Sequence, residues 1–232
     1  MISLINLLTR SNLPSEHIHN DFGSLVKQPI KRHLAHWYSK YLITQGCDVV
    51  GITGSAGKTT TKEMLASVLS QEFKTKWTKE NIDPVYNIPN TILTTSPSTE
   101  KLILEMGIEY PGEMEFYLWL AKPNIGICTS IYWTHTQFFG DMEGVYSEKS
   151  KLISSLPKNG FAILNKDDKT VVRMANLTKA KVIWYSTKTN ADLMAENIVI
   201  TDELKTRFHL RIGKKFTIVE LPIMGEQFAS LA

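Results

Sequence analysis

Residues 49–64 read Val-Val-Gly-Ile-Thr-Gly-Ser-Ala-Gly-Lys-Thr-Thr-Thr-Lys-Glu-Met, and this stretch decides the fold. Residues 49–53 form a short apolar run with β-branched side chains, which is typical of a buried strand. Residues 58–69 repeat apolar side chains at helical spacing, which predicts an amphipathic helix. A glycine-containing loop between a buried strand and a helix is the usual setting of a phosphate-binding loop.

The chemistry of the loop supports the same interpretation. Gly54 and Gly57 permit backbone angles that let consecutive N–H groups point at a phosphate, and the helix that follows adds its partial positive charge. Lys58 can reach the β- and γ-phosphates, and the Thr59 hydroxyl is placed to bind Mg²⁺. We therefore predict ATP and Mg²⁺ as cofactors. The predicted nucleotide-binding residues are Gly54, Ser55, Ala56, Gly57, Lys58, Thr59 and Thr60.

The rest of the chain alternates predicted strands with predicted helices, which indicates an α/β fold. We expect a mostly parallel P-loop sheet flanked by helices. Near the C-terminus the hydrophobic pattern changes. Short runs of alternating apolar and polar residues there predict a small antiparallel extension at one edge of the sheet. The predicted strands are 101–106, 124–131, 161–165, 181–185, 198–200, 207–212 and 216–221, and the predicted helices are 112–121, 143–156 and 169–176.

The composition is that of an ordinary globular chain of 232 residues, with 43% hydrophobic and 21% charged residues. The net charge of +3 is too small to indicate a nucleic-acid partner. Cys47 and Cys128 lie in apolar runs and are predicted to be buried free thiols, which fits a cytoplasmic protein. No run approaches the roughly 18 apolar residues of a membrane span. We expect a monomer.

Residues 1–45 differ from the remainder and are predicted to form a short helical appendage before a nucleotide-binding domain at 46–232. A helix is predicted from about residue 29 to residue 44, with an aromatic stripe at helical spacing. Either this stripe packs on the main domain, or the basic amphipathic helix lies on a membrane surface. The stripe consists of Leu34, Trp37, Tyr38, Tyr41 and Leu42.

Residues 51–64 resemble the Mur ligases, which are ATP-dependent amide-forming enzymes of peptidoglycan synthesis. The Thr-Thr-Lys-Glu continuation after the loop is most similar to the MurF branch, which joins D-alanyl-D-alanine to a UDP-linked muramoyl tripeptide. The similarity extends over most of residues 48–222. The resemblance implies a ligase that works through an acyl phosphate, with a UDP-muramoyl-peptide-like substrate and a dipeptide as partners.

Glu105 closes a predicted apolar strand, and the carboxyl ends of parallel strands form the usual ligand crevice. Taken alone, this residue is either a metal ligand or a strand-end acid paired with a lysine. The run Glu105-Met106-Gly107, followed by Pro-Gly-Glu at 111–113, is similar to a segment of the Mur ligases. That resemblance implies that Glu105 is a ligand of Mg²⁺.

Two further residues take family positions. His135 follows a predicted strand where the Mur ligases place a histidine that helps to hold a second Mg²⁺; without that context it is a structural histidine. Lys149, in the predicted helix 143–156, stands where the family has a lysine that is carbamylated into an anionic Mg²⁺ ligand; the alternative is a solvated surface lysine. The resemblance makes Lys58, His135 and Lys149 the catalytic candidates.

Other parts depart from the family pattern. Asn81 and Thr91 match a segment that contacts the muramoyl substrate, but Asp83-Pro84 replaces a usual Asn-Asn pair. The N-terminal region is shorter than the family's UDP-binding domain. Residues 222–232 resemble the start of a Gly-x-His…Asn segment, with Gln227 at the histidine position, and by this resemblance we expect the 232 residues to lack the family's C-terminal ligase domain.

These departures leave the function of the isolated chain open. We expect a fragment that binds nucleotide weakly and shows little ligase turnover by itself, because two substrates must meet at the γ-phosphate. The alternatives are another Mur-type ligase similar to folylpolyglutamate synthase, a non-catalytic nucleotide-binding module, and a simple P-loop hydrolase.

Overall fold

A computed structural model describes residues 27–79, 82–133 and 136–232, and across these residues nine strands form one sheet. The strands are β1 (Asp48–Thr53), β2 (Thr75–Trp77), β3 (Lys101–Glu105), β4 (Ile125–Cys128), β5 (Phe161–Asn165), β6 (Lys181–Ser186), β7 (Leu193–Ile200), β8 (Thr206–Ile212) and β9 (Lys215–Leu221). The α-helices are α1 (Gln28–Thr44), α2 (Lys58–Leu69), α3 (Pro84–Leu93), α4 (Glu113–Leu120), α5 (Thr136–Phe139), α6 (Met142–Ser154) and α7 (Lys169–Arg173). Short 3₁₀ helices cover Met174–Leu177 and Glu226–Ser230.

The strand order is β2-β3-β1-β4-β5-β6-β7-β8-β9. All pairs from β2 to β7 are parallel, whereas β7 with β8 and β8 with β9 are antiparallel. The predicted mostly parallel sheet with an antiparallel extension is therefore confirmed. The three strands predicted for the antiparallel extension correspond to β7, β8 and β9. However, β7 begins five residues before the predicted strand and pairs in parallel with β6.

Residues 49–52 of β1 are apolar because helices cover both faces of the sheet. Val49 belongs to the larger core, with side chains of α1, α3, α4 and α6. Val50 and Ile52 point to the opposite face and join a smaller core that includes Ala66 of α2. Strands buried on both faces lose the polar alternation of a half-exposed strand, which explains the unbroken apolar run that identified β1.

Helix α1 packs on the body of the protein, but mainly through a different face from the one predicted. Tyr38 donates a hydrogen bond to the Thr95 carbonyl (2.6 Å), and Leu42 is fully buried. By contrast, Leu34, Trp37 and Tyr41 are 56%, 65% and 46% exposed, so the prediction that the whole aromatic stripe packs on the main domain is wrong for them. The buried face instead carries small or hydrogen-bonded side chains, since small residues allow close approach of the helix. These are Ala35 and Ser39; the larger Arg32 is also buried on this face, with its guanidinium over the Phe116 ring.

Helix α3 and strand β2 were not predicted. Asp83 accepts a hydrogen bond from the Val85 amide (2.9 Å) as the N-cap of α3, and Pro84 occupies the first helical position. The Asp-Pro pair that departs from the family pattern is thus a standard helix start. Elsewhere, β4 ends three residues before the predicted strand end, and the predicted helix 169–176 divides into α7 and a 3₁₀ turn.

Both cysteines are free and buried, as predicted. Burial raises the pKa of the Cys47 thiol to about 11 and that of the Cys128 thiol to about 12, so both are inert thiols at neutral pH. Within the described parts of the chain, no helix is long and apolar enough to cross a membrane.

Candidate phosphate and metal site

The loop after β1 lies at the carboxyl end of the parallel strands. It also lies at the point where the chain stops adding strands on one side of β1 and begins to add them on the other. Strand β1 pairs with β3 on one side and with β4 on the other. In open parallel sheets this switch point is where ligands bind, because the connections leave a crevice between them. The predicted phosphate loop therefore stands in the expected crevice.

The carbonyl groups of the loop are turned towards protein donors. Lys149 Nζ donates to the Gly54 carbonyl (3.0 Å), and Thr129 Oγ1 donates to the Ala56 carbonyl (2.6 Å). No side chain in the described ranges caps the start of α2, whose N-cap is Gly57. The helix therefore begins with amide groups that have no side-chain acceptor, and such amides are a ready anion site.

Two glycines are required by the loop geometry. Gly54 has φ of +146° and Gly57 has φ of +79°, a region that side-chain-bearing residues rarely adopt. A Cβ at Gly54 would lie 1.9 Å from Thr129 Oγ1, and one at Gly57 would lie 2.5 Å from Leu231 Cδ2. The loop is therefore packed closely against the residues just after β4 on one side and against the C-terminal segment on the other.

The Thr59 hydroxyl and the Glu105 carboxylate meet beside the loop, as expected from the sequence. Thr59 Oγ1 donates to Glu105 Oε1 at 2.9 Å. Mg²⁺ prefers oxygen ligands and is often held by one or two protein groups, with phosphates and water completing the shell. Among the described residues, no three or more His, Cys, Asp or Glu side chains are grouped so that they could hold a metal ion by themselves. This two-oxygen pair fits a Mg²⁺ ion that is bound together with a nucleotide.

Lys58 lies close to the same pair. Burial lowers the pKa of Lys58, while the nearby Glu105 charge acts in the opposite direction. A Cβ added at Gly107 would lie 3.4 Å from Lys58 Cε, so the lysine stem runs along the backbone just beyond β3. The Glu-Met-Gly run therefore has two roles: Glu105 is the candidate metal ligand, and Gly107, which has no side chain, leaves room for the Lys58 stem.

Lys149 of α6 is 1% exposed, so the alternative of a solvated surface lysine is excluded. Burial, together with the nearby positive charge of Lys58, lowers the pKa of its ammonium to about 7. The neighbouring Glu148 fixes α6 by accepting from the amides of Gly112 and Met114, each at 3.0 Å. Lys149 is therefore a desolvated amine with a substantial neutral fraction at neutral pH, held beneath the loop.

Replacing Lys149 by methionine is expected to stabilise the protein at neutral pH. A lysine whose pKa falls on folding costs stability while the unfolded chain holds the proton more tightly. The cost is complete below about pH 7 and disappears as the pH rises towards 10.5. We expect Lys149→Met to gain about 2–4 kcal/mol in the free energy of unfolding at pH 7, with the gain shrinking by pH 9.5. Urea unfolding in CO₂-free buffer measures this; a pH-independent difference would contradict the assigned pKa.

A cavity of about 650 Å³ opens at the carboxyl ends of β4, β5 and β6, and no residue of the loop 54–60 is among those that line it. Tyr132, Asn165, Asp168 and Gln227 are among its lining residues. Asp168 caps α7 by accepting from the Thr170 amide (2.8 Å), and its second oxygen accepts from the Ile131 amide. The same turn thus shapes one wall of the cavity and fixes the end of β4.

The structure brings together the loop, Glu105 and Lys149, while the other candidates have different outcomes. His135 and Asn81 lie outside the described residues, so their proposed roles stay predictions. Thr91 is buried within α3 and donates to Asn87 Oδ1 (3.3 Å), and its role in substrate binding also stays a prediction. Sequence reasoning missed Thr129, whose hydroxyl supports the loop.

A buried parallel strand, a glycine loop that leads into a helix without a side-chain cap, and a threonine–carboxylate pair define a P-loop α/β domain with a candidate phosphate and metal site. The chain belongs to the Mur ligase family: residues 52–230 match the family described as Mur ligase middle domain.

Several individual proteins are similar to this chain. The UDP-N-acetylmuramoyl-tripeptide--D-alanyl-D-alanine ligase of Buchnera aphidicola is 36% identical over 179 residues, covering 76% of this chain and 38% of the relative. Among solved structures, MurF from Acinetobacter baumannii has a TM-score of 0.80 at 24% identity, over 88% of this chain and 44% of that one. MurF from Thermotoga maritima, solved in complex with ADP, has a TM-score of 0.76 at 24% identity, over 94% of this chain and 50% of that one. The chain thus spans less than half the length of the curated relative, and the structural matches describe the shared fold.

Proposed function

We propose that this chain is the nucleotide-binding part of an ATP-dependent ligase that adds D-alanyl-D-alanine to a UDP-muramoyl tripeptide. The observation that carries the proposal is the hydrogen-bonded pair of Thr59 and Glu105 beside the loop, with Lys58 at its edge. The name of the Buchnera aphidicola relative supports the substrates, and the bound ADP of the Thermotoga maritima structure supports the nucleotide.

The proposed reaction proceeds in two steps. A substrate carboxylate attacks the γ-phosphorus of ATP, forming an acyl phosphate and releasing ADP. The amine of the dipeptide then attacks the acyl carbon, and inorganic phosphate leaves as the amide forms. Orientation and charge stabilisation supply most of the rate in phosphoryl transfer.

The residues of this chain have distinct roles in the first step. The amides that begin α2 would hold the phosphates, and the Lys58 ammonium would offset the charge that develops on the transferring group. Thr59 and Glu105 would hold a Mg²⁺ ion, which when bound neutralises phosphate charge. Lys149 would serve a second metal site after carbamylation, which requires the neutral amine that its burial provides, with His135 as a further ligand.

The proposal extends to the organisation of the whole protein. The domain from residue 46 onwards would bind nucleotide, and residues 1–45 would form an appendage. The incoming dipeptide and much of the muramoyl substrate would be held by parts that the 232 residues do not contain. A monomer without a nucleic-acid partner, and without a membrane contact through α1, remains our expectation.

The function is tested by the mass of the product. The 232-residue chain and a version joined to both the N-terminal and the C-terminal domain of a MurF relative would each receive ATP, UDP-muramoyl tripeptide and D-alanyl-D-alanine. We expect the pentapeptide product and stoichiometric ADP from the joined version, and little turnover from the chain alone. Hydrolysis of ATP at the same rate without the muramoyl tripeptide and without the dipeptide would favour a simple hydrolase. A product with a different acid or amine would favour another Mur-type ligase.

A further inference from the structure

Lys62 is a fully buried cation on α2, three residues after Thr59. Its side chain has no exposed surface, and its Nζ lies 3.3 Å from Glu105 Oε2 and 3.1 Å from Glu63 Oε1. Among the described residues, no partner meets this amine with the geometry of a hydrogen bond. Burying an ammonium costs several kcal/mol, which nearby opposite charges offset only in part. A fully buried lysine here is therefore a costly choice for packing alone.

The two oxygens of Glu105 have different partners because of Lys62. Oε1 accepts from the Thr59 hydroxyl at 2.9 Å, whereas Oε2 faces the Lys62 ammonium. The Glu105 amide donates to Thr78 Oγ1 (3.0 Å), which fixes the backbone that carries the carboxylate. With the backbone and one oxygen fixed, the other oxygen is directed at Thr59.

The amine is also held from its outer side. Glu63 is 51% exposed, and its second carboxylate oxygen accepts from Trp77 Nε1 of β2 at 3.2 Å. A single cation therefore sits between two carboxylates, and it reduces the repulsion that Glu63 and Glu105 would otherwise exert on each other. The line of contacts runs from Trp77 through Glu63 and Lys62 to Glu105.

We propose that Lys62 is a positioning residue for the candidate Mg²⁺ site. It holds Glu105 Oε2 so that Oε1 stays beside the Thr59 hydroxyl, and the two metal-ligand oxygens are arranged before the ion arrives. Lys62 acts through Glu105 and contacts neither the ion nor the nucleotide. The proposal rests on the proposed function, in which Thr59 and Glu105 hold Mg²⁺.

The test is a Mg²⁺ titration of fluorescent ADP binding to the 232-residue chain. Outer-shell partners of metal ligands typically contribute about 10- to 100-fold to metal affinity. Mg²⁺ is expected to increase the affinity for ADP, and the Mg²⁺ concentration that gives half of this increase is the midpoint. We expect Lys62→Met to raise the midpoint about 10-fold or more. Affinity for ADP in EDTA should change by less than about 2-fold, since the lysine contacts no phosphate. Lys74→Met, on an exposed lysine, is the control and should behave as wild type.

A double-mutant cycle separates positioning from a merely structural role. In a Glu105→Gln background, Lys62→Met should shift the Mg²⁺ midpoint little further, because the two residues act through one carboxylate. If Lys62→Met does not fold, Lys62→Arg keeps the charge with a different shape, and we expect a smaller shift in the same direction.

The outcomes distinguish this inference from the proposed function. Wild-type protein that binds no ADP, or binds it without any effect of Mg²⁺, overturns the proposed function and the role of Lys62 with it. Wild-type protein that shows Mg²⁺-dependent binding, with an unchanged midpoint in Lys62→Met or in its Arg substitute, overturns only the role of Lys62. Equal losses of affinity with and without Mg²⁺ also overturn it, because they indicate a direct phosphate contact.

Discussion

Replacing Lys58 by alanine is expected to lower the affinity of the chain for Mg²⁺–ATP by about 10- to 100-fold. A charge-assisted contact to phosphate is worth about 1.5–3 kcal/mol, and each 1.4 kcal/mol is a factor of about ten in affinity. Lys58 lies at the start of α2 beside Glu105, and its stem passes along Gly107. Calorimetric titration with a non-hydrolysable ATP analogue measures the loss.

The matched control for this substitution is Lys214→Ala, on an exposed lysine in the turn between β8 and β9. It removes the same charge from the whole protein, so a long-range effect of net charge would appear in both variants. We expect no change in the control. Affinity in Lys58→Ala within about 3-fold of wild type would exclude Lys58 from the phosphate site, since that is below the value of one charged contact.

Gly54→Ala is expected to have the largest effect on the loop itself. The added Cβ would lie 1.9 Å from Thr129 Oγ1 and 3.1 Å from the Ser130 amide nitrogen, and φ is +146°. The Thr129 hydroxyl cannot move away without losing its hydrogen bond to the Ala56 carbonyl. We expect a loss of about 3–5 kcal/mol in the free energy of unfolding, from overpacking together with backbone strain. Nucleotide binding should fall with it, because the amides move.

Gly213→Ala provides the comparison, since φ there is +59° and a Cβ would meet nothing within 4 Å. It reports the cost of a left-handed backbone without a collision, which is about 1–2 kcal/mol. Adding Thr129→Ala to Gly54→Ala removes the colliding oxygen and should recover part of the stability. Equal losses for Gly54→Ala and Gly213→Ala, measured by urea unfolding, would show that the close approach of Thr129 is not important.

The sequence predicted the central part of the fold because local and long-range requirements agree there. Residues 49–53 must be apolar on both faces of the sheet, and the loop that follows needs Gly54 and Gly57 for its backbone angles. Periodicity and glycine chemistry are both readable in a single sequence, so strand, loop and helix were located nearly to the residue.

Other elements were harder to predict for identifiable reasons. Strand β2 has three residues, which is too short for a period to appear. Helix α3 was missed although its Asp83-Pro84 start is a recognised signal, because the pair was interpreted only as a departure from the family. The packed face of α1 depends on small side chains and on Tyr38 and Ser39 hydrogen bonds to distant carbonyls, and no periodicity encodes such contacts.

In the candidate site, too, some features could be predicted from the sequence and others required the structure. Thr59 and Glu105 could be paired in advance because a phosphate loop and a strand-end acid meet at the same edge of a parallel sheet. The burial of Lys149 fits its predicted role, but the hydrogen bond to Gly54 required the structure. Lys62 gave no separate signal, since a lysine in an amphipathic helix is normally solvated and only the fold shows that it has no exposed surface.

The most direct test of the account is calorimetric titration of the wild-type 232-residue chain with ADP, first in EDTA and then in saturating Mg²⁺. We predict binding at one site, tightened by Mg²⁺ and weakened in Lys58→Ala. Absence of binding in both conditions, by a chain that unfolds cooperatively and is therefore intact, would contradict the assignment of residues 54–60 and Glu105 as a nucleotide and metal site.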